Sequence, residues 1–353
     1  TESASAIYVL QRSQNSIYKN NIIQYTGLRD STNIENDKSM LLLHQTDNCL
    51  IDGLEIVGKN NFNRLVWLEQ PGTTTIRNII YDNTGYCITN IFFFTNKDEK
   101  ADVTIENINI ICEKVDKPFY SRDTYGGSIS INNVDLTSSN TVTNGLFRQM
   151  ELLNYETVNI NRLILNRNFI VNLQGSKKIN IENSRIKGIQ LQNKSGFDVN
   201  SFRNTFTSGD NNDYCYLMIL DASGNYKLES ANNVNKNAKN LFYIQNDETP
   251  LTTSSNLIVK TIDDIYGDYA LTHYANFIYG ASGVKIPFES FYVKTNHALD
   301  YITSGWQNIR KPVVLSHGSI FYQNQSGNNH KAFLVCEKNG LNEFIEMVIE
   351  TIG

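Results

Sequence analysis

Residues 103–110 read VTIENINI. Apolar residues stand at 103, 105, 108 and 110, so a period of two is interrupted once, where Glu106 and Asn107 separate two isoleucines. The same break recurs along the chain. Aligned on Asn107, the stretches CLIDGLEI (49–56), TTIRNIIY (74–81), ISINNVDL (129–136), VNINRLIL (158–165) and INIENSRI (179–186) share one template. It runs apolar, any, apolar, any, bend residue, apolar in most copies, any, apolar. Fainter copies follow at FDVNSFRN (197–204), YKLESANN (226–233) and LIVKTIDD (257–264), which puts the bends at 53, 78, 107, 133, 162, 183, 201, 230 and 261. Steps of uneven length in the twenties predict a solenoid whose coils carry loops of different sizes.

Alternation on both sides of the bend excludes helical repeats, whose apolar residues recur with period 3.6. Gly53, Asn78, Asn107, Asn133 and Asn183 are types that tolerate left-handed backbone, which turns a strand without a long loop. Stacked copies bring the asparagines into a ladder. A third strand per coil is read from RLVWLEQ (64–70), NIFFFTN (90–96), PFYSRD (118–123), LFRQME (146–151), FIVNLQ (169–174), GIQLQN (188–193), YLMILD (216–221) and LFYIQN (241–246). The expected fold class is all-β, a right-handed parallel β-helix with three strands per coil over residues 1–285. Beyond it the periodicity fades, and residues 286–353 read as a small C-terminal β domain that caps or oligomerises the rod.

Composition narrows the partners. The chain has 353 residues and a net charge of −5 with no basic cluster, which argues against nucleic acid and membrane-surface partners. No apolar run reaches the ~18 residues of a membrane span. The opening TESASAIYVL has no basic leader, so the chain is expected to start at a processing boundary. Cys49, Cys87, Cys112, Cys215 and Cys336 are scattered and odd in number, and Cys49 and Cys112 read as core thiols. The five histidines stand apart from one another and from any cysteine, and GDNNDY (209–214) reads as a tight turn rather than a calcium loop. No metal and no cofactor is expected.

Asparagine-cornered coils, an Asn/Ile/Tyr-rich chain, few cysteines and a small C-terminal β region resemble the receptor-binding part of a bacteriophage tailspike of the capsule-depolymerase group. The resemblance covers residues 50–265 and, more loosely, the tail; it is architectural, without a sequence motif. It implies a homotrimer in the virion tail, assembled in the host cytoplasm and acting outside the cell on a bacterial surface polysaccharide, capsule or O-antigen. Two departures stand out: the attachment domain that precedes the β-helix in such spikes is not seen, and the aspartate clusters of pectinases are missing.

Glycoside hydrolysis needs two carboxyl groups about 5 Å apart for retention or roughly 6.5–9.5 Å for inversion. Stacking Phe119 on Phe147 would set Asp123 beside Glu151 and Tyr120 beside Arg148, and these four are the expected catalytic residues. On a uronate polymer, β-elimination is the other route, with Tyr120 as base and Arg122 or Arg148 neutralising the acid. The substrate-binding stripe is read as Trp67, Glu69, Arg122, Gln190, Gln192 and Tyr243, aromatic faces edged by planar polar groups, with Asn172, Gln174 and Gln245 along the same outward positions. Phe92, Phe94 and Trp67 are expected near the outer face, where a trimer would cover them. The alternative to an enzyme is a β-helical spike or adhesin that binds without cutting.

Overall fold

The structure is a computed structural model that describes residues 6–24, 39–95, 100–123, 126–138, 148–165, 169–207, 214–221, 224–235, 240–246, 256–262, 264–266, 276–280, 292–295, 320–323, 331–338 and 341–351. Side chains are described for parts of 10–234 only, so those of Asp123, Arg148 and Tyr243 lie outside the described residues, as do His273, His297, His317 and His330 and most of GDNNDY. Among the described residues every element is a strand, and no helix is long and apolar enough to cross a membrane. The chain divides into two compact units, Thr1–Ser176 and Lys177–Gly353.

In the first unit the template copies lie side by side in parallel register. Ile51 pairs with Ile76, Ile76 with Ile105, Ile105 with Ile131 and Ile131 with Ile160. Beyond the bend, Leu54, Ile79, Ile108, Val134 and Leu163 form a second column in the same way. Every member of both columns is buried. The break in alternation is therefore a corner shared by two strands that bury alternate side chains in one core.

The corner backbone is left-handed in each copy: φ is +74° at Gly53, +59° at Asn78, +54° at Asn107, +53° at Asn133 and +57° at Arg162. The asparagine amides are linked as a ladder. Asn78 Nδ2 donates to Asp52 Oδ1 at 2.6 Å, Asn107 Nδ2 to Asn78 Oδ1 at 3.2 Å, and Asn133 Nδ2 to Asn107 Oδ1 at 2.9 Å. At Gly53 a Cβ would lie 2.7 Å from Asn20 Oδ1, itself at a corner with φ +52°. A second ladder closes another corner, where Arg12, Gln45 and Gln70 all have positive φ. There Arg12 Nε donates to Gln45 Oε1 and Gln45 Nε2 to Gln70 Oε1, at 3.1 and 2.9 Å.

The third set of strands is also parallel: Ala6–Gln11, Ser39–His44, Phe62–Glu69, the C-terminal parts of Thr73–Thr95 and Ala101–Asp123, then Arg148–Glu151 and Phe169–Asn172. Phe92 and Phe94 belong to its inner side. Both are buried, and their rings lie 5.0 and 6.5 Å from that of Phe119. The expectation that Phe92 and Phe94 face outward is thus corrected, because the run of three phenylalanines is buried throughout, Phe93 included.

In the second unit, Lys178–Glu182, Gly196–Phe202, Asn225–Ala231 and Asn256–Ile262 are parallel neighbours, as are Gly188–Gln192, Tyr214–Leu220, Asn240–Asn246 and Asn276–Gly280. Its corners stand at Asn183, Arg203 and Asn232, not at 201 and 230, and the expected bend at 261 pairs with Ser230 and is no corner either. Ser201 pairs with Ile181 and Ser230 with Ser201, so both serines occupy the inward column. They are buried and satisfied there by the Tyr216 hydroxyl, at 2.7 and 2.9 Å. Asn204 and Asn233 extend this interior network: Asn233 Oδ1 accepts from the Asn204 amide, and both side chains donate to main-chain oxygens. Pairing turns antiparallel late in the chain, where Ile320–Gln323, Lys331–Lys338 and Leu341–Thr351 form a meander.

The cysteines behave as packing residues. Cys49, Cys112 and Cys215 are buried thiols that form no disulfide, and burial pushes that of Cys112 up to about 12.

Candidate functional site

The third strand set of the first unit carries the densest chemistry. Its register aligns Leu42, Trp67, Phe93, Tyr120, Glu151 and Asn172 in one row across successive strands. The Trp67 and Phe93 rings lie 5.9 Å apart and those of Phe93 and Tyr120 5.4 Å apart, tilted at 59° and 42°. A strand spacing of about 4.8 Å sets these separations, and the tilt brings ring edges to ring faces, where the quadrupoles attract.

A polar row flanks the aromatics three residues earlier on each strand, where Arg64 pairs with Asn90 and Asn90 with Lys117. The Arg64 guanidinium carbon sits 4.5 Å from the Trp67 ring centre and 4.2 Å from that of Phe93. Lys117 Nζ lies 4.0 Å from the Tyr120 ring centre and 2.8 Å from Glu151 Oε1. Cations over partly desolvated rings contribute roughly 0.5–2 kcal/mol each and fix the ring planes. The Glu151 side chain is 14% exposed, so Lys117 is the cation that compensates its burial.

On the other side runs a second row: Gln11, His44, Glu69, Thr95 and Asp123 are paired in order. His44 Nδ1 and Glu69 Oε2 lie 2.8 Å apart, and Trp67 Nε1 donates to Thr95 Oγ1 at 2.9 Å. The strands of Trp67, Phe93 and Tyr120 thereby each carry a polar residue, an aromatic and a second polar residue. Between Phe94–Ser121 and Thr95–Asp123 the register shifts by one, which makes Arg122 the bulged residue and leaves it exposed.

This register differs from the expected one. Glu151 pairs with Tyr120, not with Asp123, and Met150 takes the buried place assigned to Phe147. Tyr120 and Glu151 are therefore brought together, while Asp123 stands three positions further along its strand, two strands from Glu69. By strand spacing that is roughly 9.5 Å between backbones. Trp67, Glu69 and Tyr120 are half-buried on this surface, whereas Asn172 is buried. Gln190 and Gln192 belong to the second unit, in rows with Leu217 and Tyr243 and with Ile219 and Gln245.

Sequence reasoning missed Arg64, Lys117, Phe93 and His44. The signal for the first two is a polar residue three before each aromatic: Arg64 and Trp67, Asn90 and Phe93, Lys117 and Tyr120. His44 lacks a sequence neighbour because its partner is 25 residues away, one strand over. Among the described residues no group of histidines, cysteines and carboxylates could hold a metal ion. No protein family, no curated protein and no solved structure matches the chain.

Proposed function

We propose that the chain is a right-handed parallel β-helix with three strands per coil, the receptor-binding part of a bacteriophage tailspike, and that it binds and depolymerises a bacterial surface polysaccharide. The observation that carries this reading is the Trp67–Phe93–Tyr120 row with its two polar flanks. A polymer needs a site that repeats, and stacked strands repeat one set of groups every ~4.8 Å. The half-buried Trp67 and Tyr120 rings, held in place by the buried Phe93 between them, take the apolar faces of sugar rings, and Arg64, Lys117, Glu69 and Thr95 supply donors and acceptors beside them.

The reading includes a homotrimer in the virion tail. Support for self-association comes from a different face: Ile22, Ile80 and Ile164 are 64%, 75% and 42% exposed, in a single row with Glu55, Asn109 and Asp135. Burying these isoleucines against neighbouring copies would remove them from water.

One observation favours the non-cutting alternative. Glu151 is engaged by Lys117 and has Tyr120 rather than a second carboxylate as its register partner. A panel of purified capsules and O-antigens separates the readings: binding with loss of polymer size supports the depolymerase, and binding alone supports the adhesin. Trp67→Ala and Tyr120→Ala should each weaken binding about tenfold or more. Wild-type binding by both variants would remove the row from the function.

A further inference from the structure

The His44–Glu69 pair does more than link two strands. Its Nδ1···Oε2 separation of 2.8 Å fixes the imidazole from one side and leaves Nε2 as the ring nitrogen turned to chemistry. Both side chains keep partial access to solvent, 24% and 34% exposed. Glu69 lies two residues beyond Trp67 on the same strand, so about 7 Å, close to one sugar ring, separates dyad and platform. Arg12 stands at the corner that follows the neighbouring strand Ala6–Gln11. It is exposed, its amide donates to the His44 carbonyl at 2.8 Å, and its Nε donates to Gln45, the residue after His44. A base held by a carboxylate, a guanidinium and an aromatic platform are thus gathered at one end of the row.

We infer that this cluster is a β-elimination site for a uronic-acid polysaccharide, with His44 the base, Glu69 its positioning residue and Arg12 the group that takes the uronate carboxylate. The inference rests on the polysaccharide reading above and deepens it. With the carboxylate paired to Arg12, the adjacent C5–H becomes acidic enough for imidazole to remove its proton. His44 Nε2 takes that proton, and the C5–H electron pair becomes the C4=C5 double bond as the C4–O bond breaks. The leaving oxygen departs with that bond's electrons and takes a proton from water; the resulting hydroxide recovers the proton from the imidazolium. No water is consumed, and one new chain end carries an unsaturated uronate. Glu69 stabilises the imidazolium formed on the way.

The test uses the full chain with polygalacturonate, alginate and hyaluronan, their carboxyl-reduced forms and neutral dextran, following binding and the ultraviolet absorbance of the double bond. The wild type is expected to bind a uronate polymer and raise the absorbance, and to leave the reduced forms uncut. His44→Gln should lower kcat at least ~100-fold with binding within about threefold. Glu69→Gln should lower kcat less than His44→Gln does with KM unchanged, and Glu69→Asp should restore part of the rate, a pattern that loss of packing would not cause. Arg12→Ala should raise KM for uronate polymers. Binding without cleavage overturns the inference and favours the non-cutting reading; cleavage to saturated ends, cleavage of reduced polymer, or an unimpaired His44→Gln variant overturns the inference and leaves the depolymerase reading standing. Failure of the wild type to bind any polymer overturns both.

Discussion

Asn107 and Asn109 are the same residue two positions apart in VTIENINI, and both are exposed. Only Asn107 has a left-handed backbone, and only Asn107 is a rung of the amide ladder, donating to Asn78 and accepting from Asn133. Replacing Asn107 by alanine puts a Cβ residue without a local polar group at φ +54°, a cost of roughly 1 kcal/mol. The two lost amide bonds add about 0.5–1 kcal/mol each, at the low end because water reaches them. Asn107→Ala should therefore destabilise by roughly 2–3 kcal/mol. Asn109→Ala removes no such bond and strains nothing, so it should stay within about 0.5 kcal/mol of wild type. Asn107→Gly relieves the strain but not the lost bonds, and adds backbone entropy to the unfolded chain. Urea unfolding read by circular dichroism resolves these differences as a fall in midpoint of about half a molar or more for Asn107→Ala. Equal midpoints for the two alanine variants would refute the corner argument.

Phe119→Ala should cost about 3–5 kcal/mol in the same assay, because the ring is fully buried between Phe92 and Phe94; a loss under 1 kcal/mol would mean that the phenylalanine column is not core. Tyr216→Phe keeps the ring's packing and removes the hydroxyl that serves Ser201 and Ser230, so a loss of roughly 1–2 kcal/mol is expected, and changing both serines to alanine as well should not recover it, because they also accept from the Asn204 and Asn233 amides. The Asp82 carboxyl is held down at about 2, first by the Thr84 hydroxyl, then by the Thr84 amide and Lys59. A lowered folded-state value means that its contribution is present above the ordinary carboxylate range and lost as pH falls through about 2. An NMR titration of the Asp82 carboxyl with a midpoint near its ordinary value would contradict this.

Strand pairing was legible because alternation and corner residue agree at each strong copy. Ile105 must point inward if Val103 does, Asn107 breaks the phase where the backbone turns, and Ile108 restores it. Of the three misplaced corners, 201, 230 and 261, which stand in one register column, the first two have a physical cause. Serine at 201 and 230 looks like a bend residue because it is small and polar, yet its hydroxyl is satisfied inside the core by a tyrosine from another strand. The first corner in the asparagine column, Asn20, was invisible for the opposite reason. Its flanking isoleucines, Ile17 and Ile22, are exposed, so the apolar pattern there is out of phase with the core.

The site was harder to read because it depends on register between strands, which a single strand's pattern does not contain. Matching Phe119 to Phe147 assumed that like residues stack; the chain instead buries Met150 and pairs Tyr120 with Glu151, an offset of 31 residues rather than 28. Offsets between successive strands vary with the loops between them: 25 from His44 to Glu69, 26 from Trp67 to Phe93, 27 from Phe93 to Tyr120, 31 from Tyr120 to Glu151 and 21 from Glu151 to Asn172. A three-residue error along a strand turns an inward position outward and moves it by about 10 Å, more than the reach of any catalytic pair. The quantity that survives such errors is spacing within one strand. Arg64 and Trp67, and Lys117 and Tyr120, stand three apart whatever the loops do, and both contacts form. A parallel sheet of this kind thus writes its pairing in the alternation of each strand, and its chemistry in short same-strand spacings that stacking then repeats from one strand to the next.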